Sequence, residues 1–130
     1  KYKAKCVVAS TKYDLIVLKI EENPKLGYEI NTNPNYARNV ETLATIGYPS
    51  SSSPHVNRNA RITYKEDRCG MTLYCISETI YCGDSGGPVL DKNNHVVGYI
   101  DRGNKIGEKE EEYNAFCPIT HLLEIIDYNK

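Results

Sequence analysis

The chain has 130 residues, enough for one domain with a real core and too few for two ordinary ones. Hydrophobic residues make up 40% and charged residues 25%, a globular balance that argues against intrinsic disorder. A formal net charge of -1 supplies no global basic field, so nucleic acid is not an expected partner. The longest apolar runs, such as Leu15 to Leu18, fall far short of the ~20 residues that span a bilayer, so no membrane partner is expected either.

In chain order the sequence reads as short β segments broken by turns. Cys6 to Ala9 and Leu15 to Ile20 are apolar and β-branched. Residues 21–39 carry Asn, Pro and Gly and read as a surface connection. Val40 to Ile46 is the next strand, followed by a turn-rich stretch from Gly47 to Pro54. Arg61, Thr63 and Lys65 alternate with Ile62 and Tyr64, the pattern of a half-buried strand. Met71 to Ile76 follows. Pro88 to Leu90 and Val96 to Ile100 flank Asp91-Lys92-Asn93-Asn94, a good hairpin loop. Tyr113 to Cys117 is a late short strand. The period then changes: Ile119, Leu122, Leu123 and Ile126 form a helical stripe entered through Pro118 and Thr120. Many short strands and one terminal helix predict an all-β barrel or sandwich.

Five cysteines, Cys6, Cys69, Cys75, Cys82 and Cys117, are many for this length, and their odd number leaves at least one unpaired within the chain. No C-x-x-C pair occurs, which excludes a zinc ribbon or a thioredoxin motif. The count favours an oxidising, secreted or extracytoplasmic setting with disulfides, and two internal bridges plus one free thiol could be drawn in fifteen ways. No apolar leader with a small-residue cleavage site opens the sequence, so an exported protein would already have lost its signal.

The residues that carry chemistry are Gly83-Asp84-Ser85-Gly86-Gly87-Pro88. At average residue usage this string arises by chance in such a chain about once in 100,000. A serine hydroxyl is a weak nucleophile until a base takes its proton. Acyl transfer also needs donors aimed at the developing oxyanion. Glycines beside a serine let the backbone bend so that neighbouring amides converge, here those of Gly83 and Ser85.

At these residues the chain resembles the trypsin-like (chymotrypsin-fold) serine peptidases. Tyr13-Asp14-Leu15-Ile16-Val17-Leu18-Lys19 resembles the segment that carries the triad aspartate, 71 residues before Ser85. Val96 to Ile100 resembles the strand lining the substrate cleft, and the terminal helix is also a family feature. Thr45-Ile46-Gly47-Tyr48-Pro49 is similar to the glutamyl endopeptidase and bacterial-type branches. The resemblance implies a second β-barrel over 40–117, the last strand of a first barrel within 1–20, an inter-barrel connection over 21–39 and the helix over 118–130. It makes Ser85 the nucleophile and Asp14 the orienter of a histidine, with the amides of Gly83 and Ser85 as the oxyanion hole. Asp84 matches the residue that pairs with a freed N-terminal amine in zymogen-activated members. No metal or organic cofactor is implied.

The family order is His, Asp, Ser, yet no histidine precedes Asp14. His55, His95 and His121 all follow it, and each reads as a surface histidine. The family's two barrels need roughly twice these residues. The expectation is therefore a C-terminal chain of a processed endopeptidase, whose N-terminal companion chain carries the histidine and most of barrel one. The substrate would be polypeptide.

The resemblance places Thr79 at the base of the primary pocket with Ile80 beside it, Ile100 in the cleft strand, and Asp101, Arg102 and Gly103 along the substrate backbone. The family usually reads S-W-G at the last three. The missing pocket aspartate argues against a conventional Lys/Arg preference, and Ile100, in place of a histidine, against Glu. The run Glu108 to Glu112 reads as a solvated loop. Cys82 reads as a disulfide partner supporting the oxyanion turn. The alternatives are a peptidase-like binding module without a working triad, and an unrelated all-β protein with a coincidental turn.

Overall fold

The computed structural model describes residues 3–22, 27–31, 42–48, 53–68, 70–78, 80, 84–102 and 114–128, and among them the short β segments become nine strands and one helix. β1 (Ala4–Ser10) and β2 (Leu15–Ile20) pair antiparallel as a two-stranded sheet. The other strands are β3 (Leu43–Gly47), β4 (His55–Ala60), β5 (Ile62–Arg68), β6 (Met71–Ile76), β7 (Pro88–Leu90), β8 (Val96–Arg102) and β9 (Ala115–Pro118), followed by helix α1 (Thr120–Tyr128). These seven strands form one antiparallel sheet in the order β4-β3-β7-β8-β9-β6-β5. The two outermost strands, β4 and β5, are consecutive in the chain with only Arg61 between them. The sheet therefore curls until its edges meet at one corner, the geometry of a closing barrel. Ser77 clamps that corner: its amide donates to the Arg61 carbonyl at 2.9 Å and its hydroxyl accepts from the Arg61 amide at 3.1 Å.

β4 is the strand the sequence pattern misses. His-Val-Asn-Arg-Asn-Ala buries only its last residue, so it has no apolar alternation to read. As an edge strand it needs none, because it is held by its ladder to β3. Tyr113, expected at the start of the last strand, lies outside the described residues, as does most of the expected connection over 21–39.

The barrel interior is filled by Leu43, Ala60, Ile76, Ile80, Val89, Val97, Ile100 and Phe116. Full burial of side chains of this size stabilises the fold by roughly 1.5–3 kcal/mol each. A second cluster sits on the other face of the sheet. It joins Met71, Leu73 and Cys75 of β6, Tyr99 of β8 and Cys117 of β9 to Ile125 of the helix, with Tyr13 at its centre and Val8, Leu15 and Val17 of the hairpin against it. The hairpin is thus fastened by one of its faces. The other face carries Ala4, Cys6, Ala9, Ile16, Leu18 and Ile20, matched across the strands by register and all exposed.

The expected disulfides are not formed among the described residues. Cys6, Cys75 and Cys117 form no disulfide, the latter two being buried as small apolar core residues. Two bridges would need four of the five cysteines. Cys69 and Cys82 lie outside the described residues. Nor are all the histidines surface residues: His121 is buried and stacks on Tyr13, with ring centroids 4.2 Å apart.

The hairpin loop 91–94 forms as expected and is organised by Asp91. Its carboxylate accepts from the amides of Asn93 (2.8 Å) and His95 (2.9 Å) and from the side chain of Asn31 (2.9 Å), which ties the segment around Asn31 to the barrel. Burial opposes its charge, but those three donors prevail and hold its carboxyl below the usual carboxylate range. A depressed carboxyl contributes stability that is present above the unfolded value and lost as pH falls through the folded one. Asp91→Ala should therefore cost about 1–3 kcal/mol at neutral pH, and the gap to wild type should close below about pH 4. Urea melts at both pH values check this.

His121 works in the opposite direction. Burial holds its imidazole below the usual histidine range, with Glu124 opposing and Lys12 assisting. The unfolded chain then takes up its proton first, so this contribution is complete above about pH 6.5 and declines as pH drops below it. Denaturant midpoints should fall between pH 7.5 and 5.5 in wild type and fall less in His121→Phe, which keeps the stack and removes the proton site.

Candidate active site

Asp84-Ser85-Gly86-Gly87 is a tight turn closed by the Gly87 amide donating to the Asp84 carbonyl at 3.0 Å. Gly86 stands third with φ 86°, the conformation a type II turn demands there and that glycine alone adopts without strain. The turn is pulled onto the barrel from two sides. The Gly86 amide donates to the Ile100 carbonyl at 2.7 Å, and the Ile100 amide donates to the Gly87 carbonyl at 2.9 Å. On the other side, β3 comes so close that a methyl group on Gly87 would strike the Ile46 carbonyl and one on Gly47 would strike the Asp84 carboxylate.

This packing leaves Asp84 buried, only 2% exposed, and Ser85 at the surface. The Asp84 carboxylate accepts from Nδ1 of His55 at 2.8 Å. His55 lies directly opposite Gly47 in the β3–β4 register, so the missing side chain of the glycine opens its path to Asp84. Reading His55 as a plain surface residue is corrected here: its side chain is 26% exposed and is bound to Asp84 in the Ser85 turn. Sequence reasoning missed it because β4 itself carries no apolar period.

Ser85 Oγ donates to the carbonyl oxygen of Asp101 at 3.4 Å. Ser85 lines a cleft of about 290 Å³ together with Asp14, Leu15, Ile16, Gly86, Tyr99, Ile100 and Asp101. The two residues proposed from sequence as nucleophile and orienter are thus brought to one cleft, from different sheets. Asp101, in the position that departs from S-W-G, adds a second carboxylate to its lining.

Asp14 is exposed at the end of the β1–β2 turn with φ 51°, a left-handed conformation that Asp tolerates better than most residues. Its neighbour Tyr13 holds it there. The Tyr13 hydroxyl donates to Glu124 of the helix at 2.7 Å, and the Tyr13 carbonyl accepts from the Tyr99 hydroxyl at 2.7 Å. Burial drives the Tyr99 phenol well above its ordinary range, and the Cys117 thiol and the carboxylates of Asp101 and Asp14 push the same way. Tyr99 therefore stays protonated and remains a donor. His121 completes the anchor by stacking on Tyr13 and accepting from the Thr72 amide at 3.4 Å.

Of the other residues singled out from sequence, Ile80 is fully buried in the barrel core, with its amide donating to Asn114 Oδ1 at 2.8 Å. Ile100 is 2% exposed and still contributes to the cleft wall. Arg102 ends β8, paired with Ala115. Gly83, Thr79 and Gly103 lie outside the described residues, as does the Glu108 to Glu112 run.

Solved structures with the same fold include the active form of the Rv3671c protease from M. tuberculosis (TM-score 0.77, 19% identity, 97% of this chain and 58% of that chain). The HtrA-type protease AlgW with a decapeptide is similarly related (TM-score 0.76, 19% identity, 98% of this chain and 40% of that chain). So is Deg5 (TM-score 0.71, 20% identity, 98% of this chain and 60% of that chain). The chain thus spans well under two-thirds of the length of each. These matches do not single out the glutamyl endopeptidase branch. A family model described as a trypsin-like peptidase domain matches residues 1–98, and with the curled sheet and the Gly-Asp-Ser-Gly-Gly-Pro turn it makes this chain a member of the trypsin-like peptidase family.

Proposed function

We propose that the chain is the nucleophile-bearing part of a serine endopeptidase that cleaves polypeptides through an acyl-enzyme. The observation that carries this reading is the cleft shared by Ser85 and Asp14, with Ser85 presented on a turn tied to both β3 and β8. A histidine entering the cleft takes the Ser85 proton while Asp14 holds its imidazole in the productive tautomer. Ser85 Oγ attacks the peptide carbonyl, and the amides of Gly83 and Ser85 receive the oxyanion. The protonated imidazole delivers its proton to the leaving amine, and water then releases the acyl group.

The histidine comes from an N-terminal companion. None of His55, His95 or His121 lines the cleft. The outward face of the hairpin supports a companion independently. Ile16 is 63% exposed, Leu18 58% and Ile20 42%, alongside Cys6 and the half-exposed Val7, which is the surface a neighbouring strand of a first barrel would cover.

Intact mass after fluorophosphonate treatment of the assembled protein tests the reading. One adduct on this chain, abolished by Ser85→Ala, and a second polypeptide or preceding segment that contains a histidine are expected. Asp14→Asn, which keeps the left-handed backbone acceptable, should slow acylation by about 10⁴-fold. No adduct on an assembly with its histidine in place would leave the peptidase-like binding module as the better reading.

A substitution on the outward face separates assembly from chemistry. Leu18→Glu should weaken association with the companion by about tenfold or more, because a charge replaces a contact at the centre of the patch. Thermal unfolding of the seven-stranded sheet should stay unchanged. Sedimentation of the two components with and without the substitution checks it, and equal affinities would remove the hairpin face from the interface.

A further inference from the structure

We infer that His55 is a positioning residue for the nucleophile: it holds the Asp84 carboxylate from within this chain and thereby sets the Ser85 turn. The inference rests on the reading of Ser85 as the nucleophile. The resemblance assigns the Asp84 position a freed N-terminal amine as partner; here an imidazole from β4 takes that place at 2.8 Å.

Three observations on different elements converge on this pair. Asp84 is 2% exposed, and a buried carboxylate is costly unless a donor meets it. Gly47, on β3, has no room for a side chain because the carboxylate packs against it. His55, on β4, stands opposite that glycine in register and reaches past it. The backbone consequence is direct. The Asp84–Ser85 peptide plane carries the Ser85 amide, so fixing the carboxylate on one side and the Asp84 carbonyl on the other (through the Gly87 amide at 3.0 Å) fixes where that amide points. The Asp84 carboxylate then has a donor from within this chain.

The test uses the complete protein with both barrels and compares wild type, His55→Ala and His55→Asn. Asparagine places an amide N–H close to the position of Nδ1, so it restores the donor without the ring. Removing a direct oxyanion donor costs about 10²–10³ in kcat, and a residue acting through its neighbour should cost less, about tenfold. His55→Ala is expected to lower kcat by that factor with KM within about twofold, and His55→Asn to recover most of it. Amide exchange at Gly86 and Gly87 should quicken in His55→Ala while Val97 in the core keeps its protection.

Wild-type kcat together with wild-type exchange at both glycines in His55→Ala would overturn the inference. Loss of protection spread over the whole sheet, Val97 included, would overturn it too, since His55 would then be an ordinary fold contact. If wild type takes up no fluorophosphonate, the peptidase reading fails by itself. Exchange at the two glycines then decides alone whether His55 holds the turn.

Discussion

A carboxylate buried one residue before a surface serine is the constraint that organises this end of the molecule. Leaving Asp84 without partners would cost several kcal/mol, so the chain around it is built to meet it. β3 supplies a glycine where any side chain would collide with the carboxylate, and β4 supplies an imidazole across the strand pair. The turn itself needs a glycine at φ 86° and a second one pressed onto the Ile46 carbonyl. The glycines of the motif therefore answer to different demands. Gly86 answers to a backbone angle, and Gly87 to the close approach of a neighbouring strand.

A separate set of contacts fixes the other half of the site. Asp14 sits on a hairpin that, among the described residues, packs on the barrel through one face, and its position depends on Tyr13. That tyrosine is held at its carbonyl by Tyr99, at its hydroxyl by Glu124 and at its ring by His121. Tyr99 belongs to β8, the strand whose next residue, Ile100, binds the Ser85 turn through its backbone. One strand therefore references both Asp14 and Ser85. The relation between them is a property of this chain.

Much of this was legible in the sequence. The hexapeptide motif located Ser85, the apolar alternation located most strands, and the change to a helical period located α1. Each is a local signal whose physical cause lies in neighbouring residues. The features that were not legible depend on register. β4 has the composition of a loop and is a strand only because β3 offers it a ladder. Without β4, nothing in the sequence connects His55 to Asp84, 29 residues on. Cysteine count misled for a related reason. Cys75 and Cys117 serve as small core residues between sheet and helix, a packing role that spacing cannot distinguish from pairing.

On the proposed reading, the hairpin's exposed face bears on how the cleft is completed. Its apolar side chains, about half exposed, leave on the order of several kcal/mol of burial unrealised. Association of a separate chain costs about 4–15 kcal/mol in lost freedom before any contact is made. The hairpin face alone is therefore too small to hold a companion, and a stable assembly must extend beyond it. The cleft is the adjoining surface. Ile16 belongs both to the exposed face and to the rim of the cleft that contains Asp14 and Ser85. Whatever covers Ile16 to gain apolar burial is thereby brought alongside Asp14. On the proposed reading, the force that seats the companion is also what delivers its histidine.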